Sequence, residues 1–332
     1  MNPEQVAPPK PLTFALLKLL ADGDFHSGEE MARSLELSRA SVHNALQDVE
    51  RYGLTMHSVR GRGYQLSHPL YWLDKEQVSK FLGDARECLH LEIIDHAASS
   101  NALLLQRATQ GAASGSVLAV EWQSAGRGRL GRTWHSGLGN ALTFSVLWRF
   151  ETGLAALSGL SLAVGVAAVR ALHELGIKEV GLKWPNDVLL RQGKLAGILL
   201  EAQGDILGPS AVVIGVGLNL SLSTGMKQQI DQSTSDLVSC GISLRERNQV
   251  LALLLKHMAR MLIEFSAHGF APLRAEWENY HHLQGRAARL LMPDGKCIEG
   301  VVRGVTDDGA LRLDTMQGER VFNAGEISLR GA

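Results

Sequence analysis

The sequence predicts a multidomain α/β protein with a helical part, a mixed part and a β part in that order. Three observations support this: short helical segments precede a glycine-containing hairpin in the first 67 residues, β-rich runs alternate with a long helical run in the middle, and short strands with Asp-Gly turns fill the last fifty residues. A chain of 332 residues is too long for one ordinary core. We therefore place the domain boundaries at residues 1–67, 68–283 and 284–332.

The composition provides a large core but no global charge. Hydrophobic residues make up 45% of the chain, and the formal net charge is -1 at pH 7. Binding to nucleic acid or to a membrane surface would therefore have to depend on a local basic patch. The cysteines Cys88, Cys240 and Cys297 are far apart and lack histidines at ligand spacing, which argues against a disulfide framework or a zinc site.

The sequence also predicts a cytoplasmic protein. The N-terminus lacks the basic, apolar and small-residue order of a signal peptide. The longest apolar stretch, residues 154–175, is interrupted by polar and charged side chains, which argues against a membrane-spanning helix. We expect no membrane partner.

Residues 8–66 have the pattern of a self-contained helical unit. A leucine-rich face covers residues 12–20, and the segment ADGDF ends that helix. Ser27 stands three residues before Glu30, a capping-box start for a second helix, and Ser38 starts a third helix through residue 51. The next segment, LTMHSVRGRGYQL, alternates apolar and polar residues around two glycines, as a hairpin wing does. Together these elements predict a winged helix-turn-helix.

The third helix of this unit predicts a DNA-reading surface. Its apolar residues recur at helical spacing and would be buried, which leaves polar side chains outward where they can reach base edges in a major groove. The candidate DNA-binding residues of the helix and the wing are Arg39, Ser41, His43, Asn44, Gln47, Arg60 and Arg62. A small helical protein-interaction module is the alternative that the same pattern allows.

The middle of the chain predicts a mixed α/β domain with a substantial sheet. Helices are predicted at residues 157–175, 246–268 and 272–282. Strands are predicted at residues 91–94, 118–122, 142–148, 188–190, 196–201 and 211–220.

The C-terminal part changes character again. It contains LLMPDGK, CIEGVVRGVTDDGALRL and ERVFNAGEISL, which are short strand-like segments with Asp-Gly turns. Such segments predict a small SH3-like barrel.

An arginine loop, AGRGRLGRTW at residues 125–134, follows the apolar run at residues 117–122. The spacing of its glycines matches a dinucleotide-binding fingerprint, but the helix and the acidic residue that this fingerprint requires are missing. A glycine-rich backbone with three guanidinium groups instead favours a mobile loop that closes over an anionic ligand. A flexible basic surface loop is the simpler alternative.

Four further segments of the middle domain are candidates for a site. DHAASSN, residues 95–101, offers hydroxyls and an amide to a polar ligand, although a helix cap would explain them as well. KWPND carries a lysine, an amide and a carboxylate at the end of a strand. GKLAG contains a lysine but lacks the rest of a P-loop. GVGLN is an apolar strand with two glycines, where a ligand ring could lie against the backbone.

Taken in order, the arginine loop, KWPND, GKLAG and GVGLN resemble the bifunctional biotin protein ligases and biotin operon repressors of bacteria. The resemblance covers nearly the whole chain, from the winged helix to the C-terminal barrel. It implies a central domain with a class II synthetase-like fold. It also implies that biotin is activated with ATP and Mg²⁺ to biotinyl-5'-AMP and then transferred to one lysine of a biotin carboxyl-carrier domain.

The resemblance assigns roles to residues of this chain. Lys194, Arg129 and Arg132 would be catalytic, and Asp187 would lie near magnesium. The residues implied for biotin are Ser99, Ser100, Asn101, Gln123, Gly126, Arg127, Gly197 and Gly215. The residues implied for ATP and the adenylate are Arg129, Arg132, Lys183, Asn186, Asp187, Lys194 and Asn219. Physical chemistry agrees, since a carboxylate that attacks a phosphate needs fixed cations where negative charge builds up.

The resemblance also implies partners and leaves rival functions to test. The implied partners are the carrier domain of acetyl-CoA carboxylase, the operator DNA of biotin synthesis genes, and a second copy of the chain once the adenylate is bound. A lipoate ligase with the same adenylate chemistry is one rival. A metabolite-sensing repressor without enzymatic activity is the other.

Two positions depart from the family pattern. Leu130 stands in the arginine loop where some members carry another arginine, which would remove one phosphate or dimer contact. The segment after GVGLN, residues 220–241, contains no aromatic residue to stack on adenine. This leaves two alternatives: the adenylate is held less tightly, or a different group such as Met226 covers the adenine.

Overall fold

The computed structural model describes residues 8–135, 137–230, 232–292, 294–324 and 328–331. It confirms the predicted fold class, with an N-terminal helix-turn-helix unit, a central α/β domain and a C-terminal β domain. Residues 1–7 of the first predicted domain and Ala332 of the last lie outside the described residues.

The N-terminal unit contains three helices and a two-stranded wing. Ser27 and Ser38 cap its second and third helices by accepting hydrogen bonds from the backbone N–H of Glu30 and Ser41, both at 3.0 Å. The third helix is shorter than predicted, because a 3-10 turn at Val49–Tyr52 replaces its last part. The elements are α1 (Pro11–Leu19), α2 (Gly28–Ser34), α3 (Arg39–Leu46), β1 (Met56–Val59) and β2 (Gly63–Leu66).

The central domain is built on a seven-stranded sheet. Its strands are β3 (His90–Ala97), β4 (Ser116–Gln123), β5 (Ala141–Phe150), β6 (Val180–Lys183), β7 (Asp187–Leu190), β8 (Gly193–Gly204) and β9 (Ser210–Asn219). They lie in the order β3-β4-β5-β9-β8-β7-β6, and only β3 and β4 run parallel. Five of the six predicted strand ranges lie within longer strands, and β9 is shifted by one residue against its predicted range. β6 had no predicted range, but it is the strand that KWPND was predicted to end.

Helices cover this sheet, mainly on one face. They are α4 (Lys75–Leu82), α5 (Ser100–Thr109), α6 (Leu160–Glu174), α7 (Thr224–Gln229), α8 (Arg247–His268) and α9 (Arg274–Tyr280). Within the described residues, the helical stretch Leu154–Glu174 is long and apolar enough to cross a membrane, but 56% of its most apolar window is buried inside the protein. The fold itself therefore covers the apolar surface of α6.

The C-terminal domain is one antiparallel sheet of five strands. The strands are β10 (Ala287–Leu291), β11 (Cys297–Val305), β12 (Leu311–Thr315), β13 (Gly318–Phe322) and β14 (Ser328–Gly331). They lie in the order β13-β12-β11-β10-β14. The sheet packs on the central domain, where the indole N–H of Trp184 donates to the carbonyl of Gly309 at 3.1 Å.

The winged helix packs directly against the central domain. Leu138, just after the arginine loop, is buried in the apolar cluster of the winged helix, and its N–H donates to the carbonyl of Tyr52 at 2.9 Å. The Tyr52 ring meets the Trp122 ring edge-on, with 5.3 Å between centroids. Glu121 and Arg247 form a buried ion pair of 2.8 Å next to the residues that connect the two domains. The winged helix and the central domain therefore share a packed interface.

Candidate functional site

The main cavity, of about 710 Å³, lies at one end of the central sheet. The ends of β4, β8 and β9 form its floor, and the arginine loop and β14 form its walls. Its size is in the usual range for sites that hold a cofactor or a small substrate. The predicted ligand residues that line it are Ser99, Ser100, Asn101, Gln123, Arg127, Arg129, Arg132, Lys183, Asn186, Asp187, Lys194, Gly197 and Gly215.

The predicted biotin side of the cavity is a hydrogen-bonded cluster at the start of α5. Ser99 is the N-cap of α5, so the helix-cap explanation of DHAASSN is also correct. The Ser100 N–H donates to Gln123 Oε1 at 2.6 Å. Ser145 Oγ lies 2.7 Å from Ser100 Oγ and 2.6 Å from Asn101 Oδ1. Because the amide oxygen of Asn101 can only accept, Ser145 donates to it and accepts from Ser100.

The side chains of this cluster are almost completely buried. Ser145 is fully buried, and Ser100 and Asn101 are 4% and 3% exposed. Gly215 lies so close to Asn101 that a Cβ at position 215 would overlap the amide of Asn101. The polar groups are therefore fixed before a ligand arrives, and the lack of a side chain at Gly215 makes room for them.

The arginine loop forms a narrow turn with one 3-10 turn at Arg129–Gly131, and among the described residues no α-helix follows it before β5. Arg127 and Thr133 pair in an antiparallel bridge, and the Gly128 N–H donates to the carbonyl of Arg132 at 2.7 Å. Leu130, at the tip, has a left-handed backbone with φ 58° and is 51% exposed. The missing helix removes the dinucleotide interpretation of the glycines.

Basic side chains surround one carboxylate on the predicted nucleotide side. Lys194 Nζ lies 2.7 Å from Asp187 Oδ1, and both side chains are less than one fifth exposed. Burial lowers the pKa of Lys183, Asp187 opposes that shift, and the neighbouring charge of Lys194 adds to it. Burial also lowers the pKa of Arg129. Because the basic groups outnumber the carboxylate, this side favours a multiply charged anion.

Asn219 holds the backbone of Lys194 in place. Its amide N–H₂ donates to the carbonyl oxygens of Lys194 and Ser235, both at 3.2 Å, and the side chain is 3% exposed. Neither Asn219 nor Gly126 is among the residues that line the cavity. Both residues lie behind the cavity wall. Direct contact of Asn219 with the nucleotide and of Gly126 with biotin therefore stays a prediction.

Trp134, at the end of the arginine loop, is a site residue that sequence reasoning missed. Its indole lies against Gly217 and Gly197 inside the cavity, and its ring centroid is 6.0 Å from Lys194 Nζ. The indole N–H is buried and has no hydrogen-bond partner in the described part of the chain. Met226, one candidate for covering adenine, lies next to Gly137 instead of lining the cavity.

The C-terminal domain contributes to the same cavity, which the sequence did not reveal. Leu329 and Arg330 line it, and the charge of Arg330 contributes to the lowered pKa of Lys183. Arg129 donates to the carbonyl of Ala324 and, at 3.3 Å, to Asn186 Oδ1. The loop, KWPND and the C-terminal sheet thus meet at one point, although no sequence pattern links them.

The oxygen ligands available to a cation are few. Among the residues that the structure describes, no three His, Cys, Asp or Glu side chains form a metal-binding group. Mg²⁺ is often held by one or two carboxylates together with substrate phosphates and waters. Asp187, with the amide oxygen of Asn186 beside it, fits that limited role.

The predicted DNA-reading residues lie on α3, at its C-terminal end and on the wing. All of them are exposed except Ser41, which is half-buried and lies 2.8 Å from the Oγ of Ser38. His43 links α3 to the wing, since its Nδ1 lies 3.1 Å from the hydroxyl of Tyr64 and its Nε2 lies 3.0 Å from Gln47 Nε2. The Arg62 guanidinium stacks over the Phe25 ring at 4.0 Å. Helix α3 and the wing are therefore in contact through His43.

Three family models match the chain in the same order as the three structural units. An HTH domain matches residues 13–65, the Biotin/lipoate A/B protein ligase family matches residues 96–219, and the Biotin protein ligase C terminal domain matches residues 285–330.

Curated relatives match over nearly the full length. The Bifunctional ligase/repressor BirA of Escherichia coli is 38% identical over 317 residues, which are 96% of this chain and 97% of the relative. That of Bacillus subtilis is 28% identical over 93% of this chain and 95% of its own length. The Biotin--[acetyl-CoA-carboxylase] ligase of Mycobacterium tuberculosis is 36% identical over 71% of this chain and 88% of its own length.

Among solved structures, the biotin protein ligase from Aquifex aeolicus in complex with biotin and ATP is similar to this chain. It is 28% identical, has a TM-score of 0.63, and is covered over 99% of its length by 73% of this chain. The fold, the three family matches and the full-length relatives agree. The chain belongs to the family of bifunctional biotin ligase/repressors typified by BirA.

Proposed function

We propose that this protein is an ATP-dependent biotin–protein ligase that also represses transcription in response to biotin. It activates biotin to biotinyl-5'-AMP and transfers the biotinyl group to a lysine of the biotin carboxyl-carrier domain of acetyl-CoA carboxylase. The observation that carries the proposal is the placement of Lys194 between two unlike surfaces, a buried amide and hydroxyl cluster on one side and several cations on the other.

The first step is an attack of the biotin carboxylate on the α-phosphorus of ATP. Asn101, Ser100 and Gln123 bind the polar ring system of biotin, so its carboxylate points towards Lys194. A new bond forms between the carboxylate oxygen and phosphorus, and pyrophosphate leaves. Lys194, Arg129 and Arg132 stabilise the charge that builds up, and no general base is needed because the carboxylate is already ionised.

The second step uses the same cations. The neutral amine of the carrier lysine attacks the acyl carbon of the adenylate and an amide bond forms. The bond from the acyl carbon to the AMP oxygen breaks, the amine releases one proton to solvent, and AMP leaves with its phosphate charge. Lys194 and Arg132 lie where they stabilise that leaving phosphate, so one set of side chains serves both steps.

Magnesium would be held by Asp187, with Asn186 beside it. When bound, Mg²⁺ supplies positive charge to the phosphates of ATP. Lys194 forms an ion pair with Asp187 at 2.7 Å in the protein alone, so the carboxylate also keeps the lysine next to the reacting centre.

The repressor activity resides in the winged helix, with biotinyl-5'-AMP as the corepressor. A monomer with one recognition helix contacts few bases, so useful affinity requires a two-fold dimer on paired half-sites in the operator of biotin synthesis genes. Ile206 and Leu207, which are 71% and 88% exposed on the turn between β8 and β9, are apolar surface that such a homodimer could cover. The protein acts in the cytoplasm.

An assay with biotin, ATP, Mg²⁺ and a purified carrier domain tests the ligase activity. We expect biotin to be attached to the carrier lysine, and lipoate to replace it poorly. Rapid modification with lipoate would support the lipoate ligase instead. Binding of biotin and ATP without any turnover would support a sensor.

Sedimentation with a labelled operator fragment tests the repressor activity. We expect a largely monomeric protein alone and a DNA-bound dimer with biotin and ATP. Asn44→Ala should weaken operator binding and leave biotinylation unchanged, because Asn44 is exposed on α3, away from the cavity. Equal mass and equal DNA affinity with and without the adenylate would contradict the repressor proposal.

A further inference from the structure

We propose that Glu201 is a positioning residue that holds Arg127 and Asn101 in place before biotin binds. The inference rests on the proposed biotin ligase function, since both of these residues are predicted biotin ligands. Glu201 is in the second half of β8 and is not among the residues that line the cavity. It therefore acts through its neighbours and not by touching the substrate.

One carboxylate joins two elements that reach the cavity from different directions. Arg127 Nη2, from the arginine loop, donates to both oxygens of Glu201, at 2.9 and 3.1 Å. Asn101 Nδ2, from the start of α5, donates to Glu201 Oε2 at 2.9 Å. Glu201 thus connects the fixed biotin side of the cavity to the loop.

The carboxylate also sets the orientation of the Asn101 amide. With Nδ2 held by Glu201 and by the carbonyl of Leu199 at 3.2 Å, Oδ1 must face Ser145. A flipped amide would place its oxygen against two acceptors, which is unfavourable in a buried site. Glu201 therefore fixes which groups of the Ser100, Asn101 and Ser145 cluster can face a ligand.

The same contact ties the first half of the loop to the sheet. Exposed ion pairs contribute little in general, and the Arg127 side chain is 47% exposed. The Glu201 side chain is only 23% exposed and accepts three hydrogen bonds, so this contact belongs to a network and not to an isolated pair. A loop that is already tied down loses less conformational entropy when biotin binds.

The variant Glu201→Gln removes the charge and keeps the size of the side chain. We expect the KM for biotin to rise about tenfold, while the kcat for adenylate formation at saturating biotin changes less than about threefold. Pyrophosphate release with biotin varied at saturating ATP measures both constants. Equal losses in kcat and in kcat/KM, or an unchanged KM, would overturn the proposal.

Limited proteolysis reads the tie to the loop without any need for activity. Trypsin cleaves after arginine, and the loop offers Arg127, Arg129 and Arg132. In the empty protein, Glu201→Gln should be cut within the loop about fivefold faster than wild type. An unchanged cleavage rate would show that Glu201 does not hold the loop. If wild type forms no biotinyl-adenylate, the proposed function fails, but this readout still tests the contact.

Two further sets of variants keep the test specific. Glu179→Gln is the matched control, because Glu179 forms a similar 2.9 Å ion pair with Arg191 away from the cavity, and it should change neither readout. Glu201→Asp keeps the charge and should have an intermediate KM if Glu201→Gln does not fold. In combination with Arg127→Gln, Glu201→Gln should raise the KM no further than the worse single variant. Multiplied effects would show that the two residues act separately.

Discussion

The two sides of the cavity are built in different ways. The biotin side consists of short side chains on α5, β4 and β5 that hydrogen-bond to one another, and Ser99, Ser100 and Asn101 are at most 6% exposed. The nucleotide side consists of long basic side chains on a loop, on the ends of strands and on the C-terminal sheet. Its loop tip, Leu130, is 51% exposed.

This difference indicates which side of the cavity needs a bound ligand to become ordered. Buried and fully paired polar groups keep one arrangement in the absence of a ligand. The several basic side chains around one carboxylate repel one another. A bound polyphosphate would reduce that repulsion and would order the loop. In the proposed function, recognition of biotin would therefore depend on a fixed shape, whereas adenylate binding would change the protein. That change is what a repressor needs in order to report the ligand.

Lys194→Ala should break the nucleotide side most strongly. It removes a charge next to the reacting centre, which is expected to raise the barrier by about 3 kcal/mol and to slow adenylate formation roughly a hundredfold. Pyrophosphate release with biotin and ATP measures the rate. Lys178→Ala, a substitution at an exposed lysine away from the cavity, is the control. Wild-type activity of Lys194→Ala would remove the catalytic role assigned to this lysine.

The support beneath KWPND should be sensitive to acid. Burial lowers the pKa of His281 from 6.5 to about 3, and His281 Nε2 accepts a 3.5 Å hydrogen bond from the backbone N–H of Trp184. Below pH 6.5 the unfolded chain takes up a proton that the folded protein excludes. The contribution of His281 to the free energy of unfolding should therefore fall by about 1.4 kcal/mol per pH unit down to about pH 3.

Denaturant unfolding at a series of pH values checks this prediction. His281→Gln keeps an acceptor for Trp184 but cannot be protonated in this range. Its free energy of unfolding should fall less steeply with acid than that of wild type. Equal slopes for both proteins would contradict a buried neutral His281.

Ser145→Ala should sharpen the view of the biotin side. It leaves buried polar atoms of Asn101 and Ser100 without their partner, so the KM for biotin should rise about tenfold, with a smaller effect on ATP. Thr143→Val is a close control, since Thr143 is another buried hydroxyl of β5 that donates to the Val120 carbonyl and does not itself line the cavity. Equal changes in the two variants would mean that loss of any buried hydroxyl on β5 has this effect.

The smallest effect is expected at the tip of the loop. Leu130 has a left-handed backbone, which asparagine tolerates better than leucine. Leu130→Asn should favour the ordered loop by less than about 1 kcal/mol, which slows adenylate dissociation by a factor of about five or less. Chase experiments with labelled adenylate measure that rate. Faster dissociation would show that the leucine side chain itself contacts the ligand or a partner.

The sequence was sufficient to predict the three-part fold, because periodicity, turn residues and caps are local signals. Ser27 and Ser38 cap the helices expected of them, and the arginine loop, KWPND and GKLAG meet around one cavity. Three of the groups described above were not predicted. Ser145 and Arg330 reach the site through pairing of strands that are far apart in the sequence, and Glu201 reaches it through contacts with Asn101 and Arg127, which are also far away in the chain. No local pattern records such contacts.

Trp134 was missed for another reason. An aromatic residue near adenine was expected only in residues 220–241. The fold instead brings Trp134 from the arginine loop onto Gly217. The signal was present in the sequence as the last residue of AGRGRLGRTW. Position in the chain does not predict which aromatic residue lies in the cavity, because the cavity wall is assembled from several segments.

Amide hydrogen exchange on the empty protein, with biotin, and with biotin plus ATP tests the difference between the two sides most directly. We predict that the amides of residues 99–102 and of β5 exchange slowly in all three states. The amides of residues 128–133 should exchange fast in the empty protein and at least about tenfold more slowly once the adenylate forms. Equally slow exchange of residues 128–133 in the empty protein would contradict the claim that the nucleotide side is completed by its ligand.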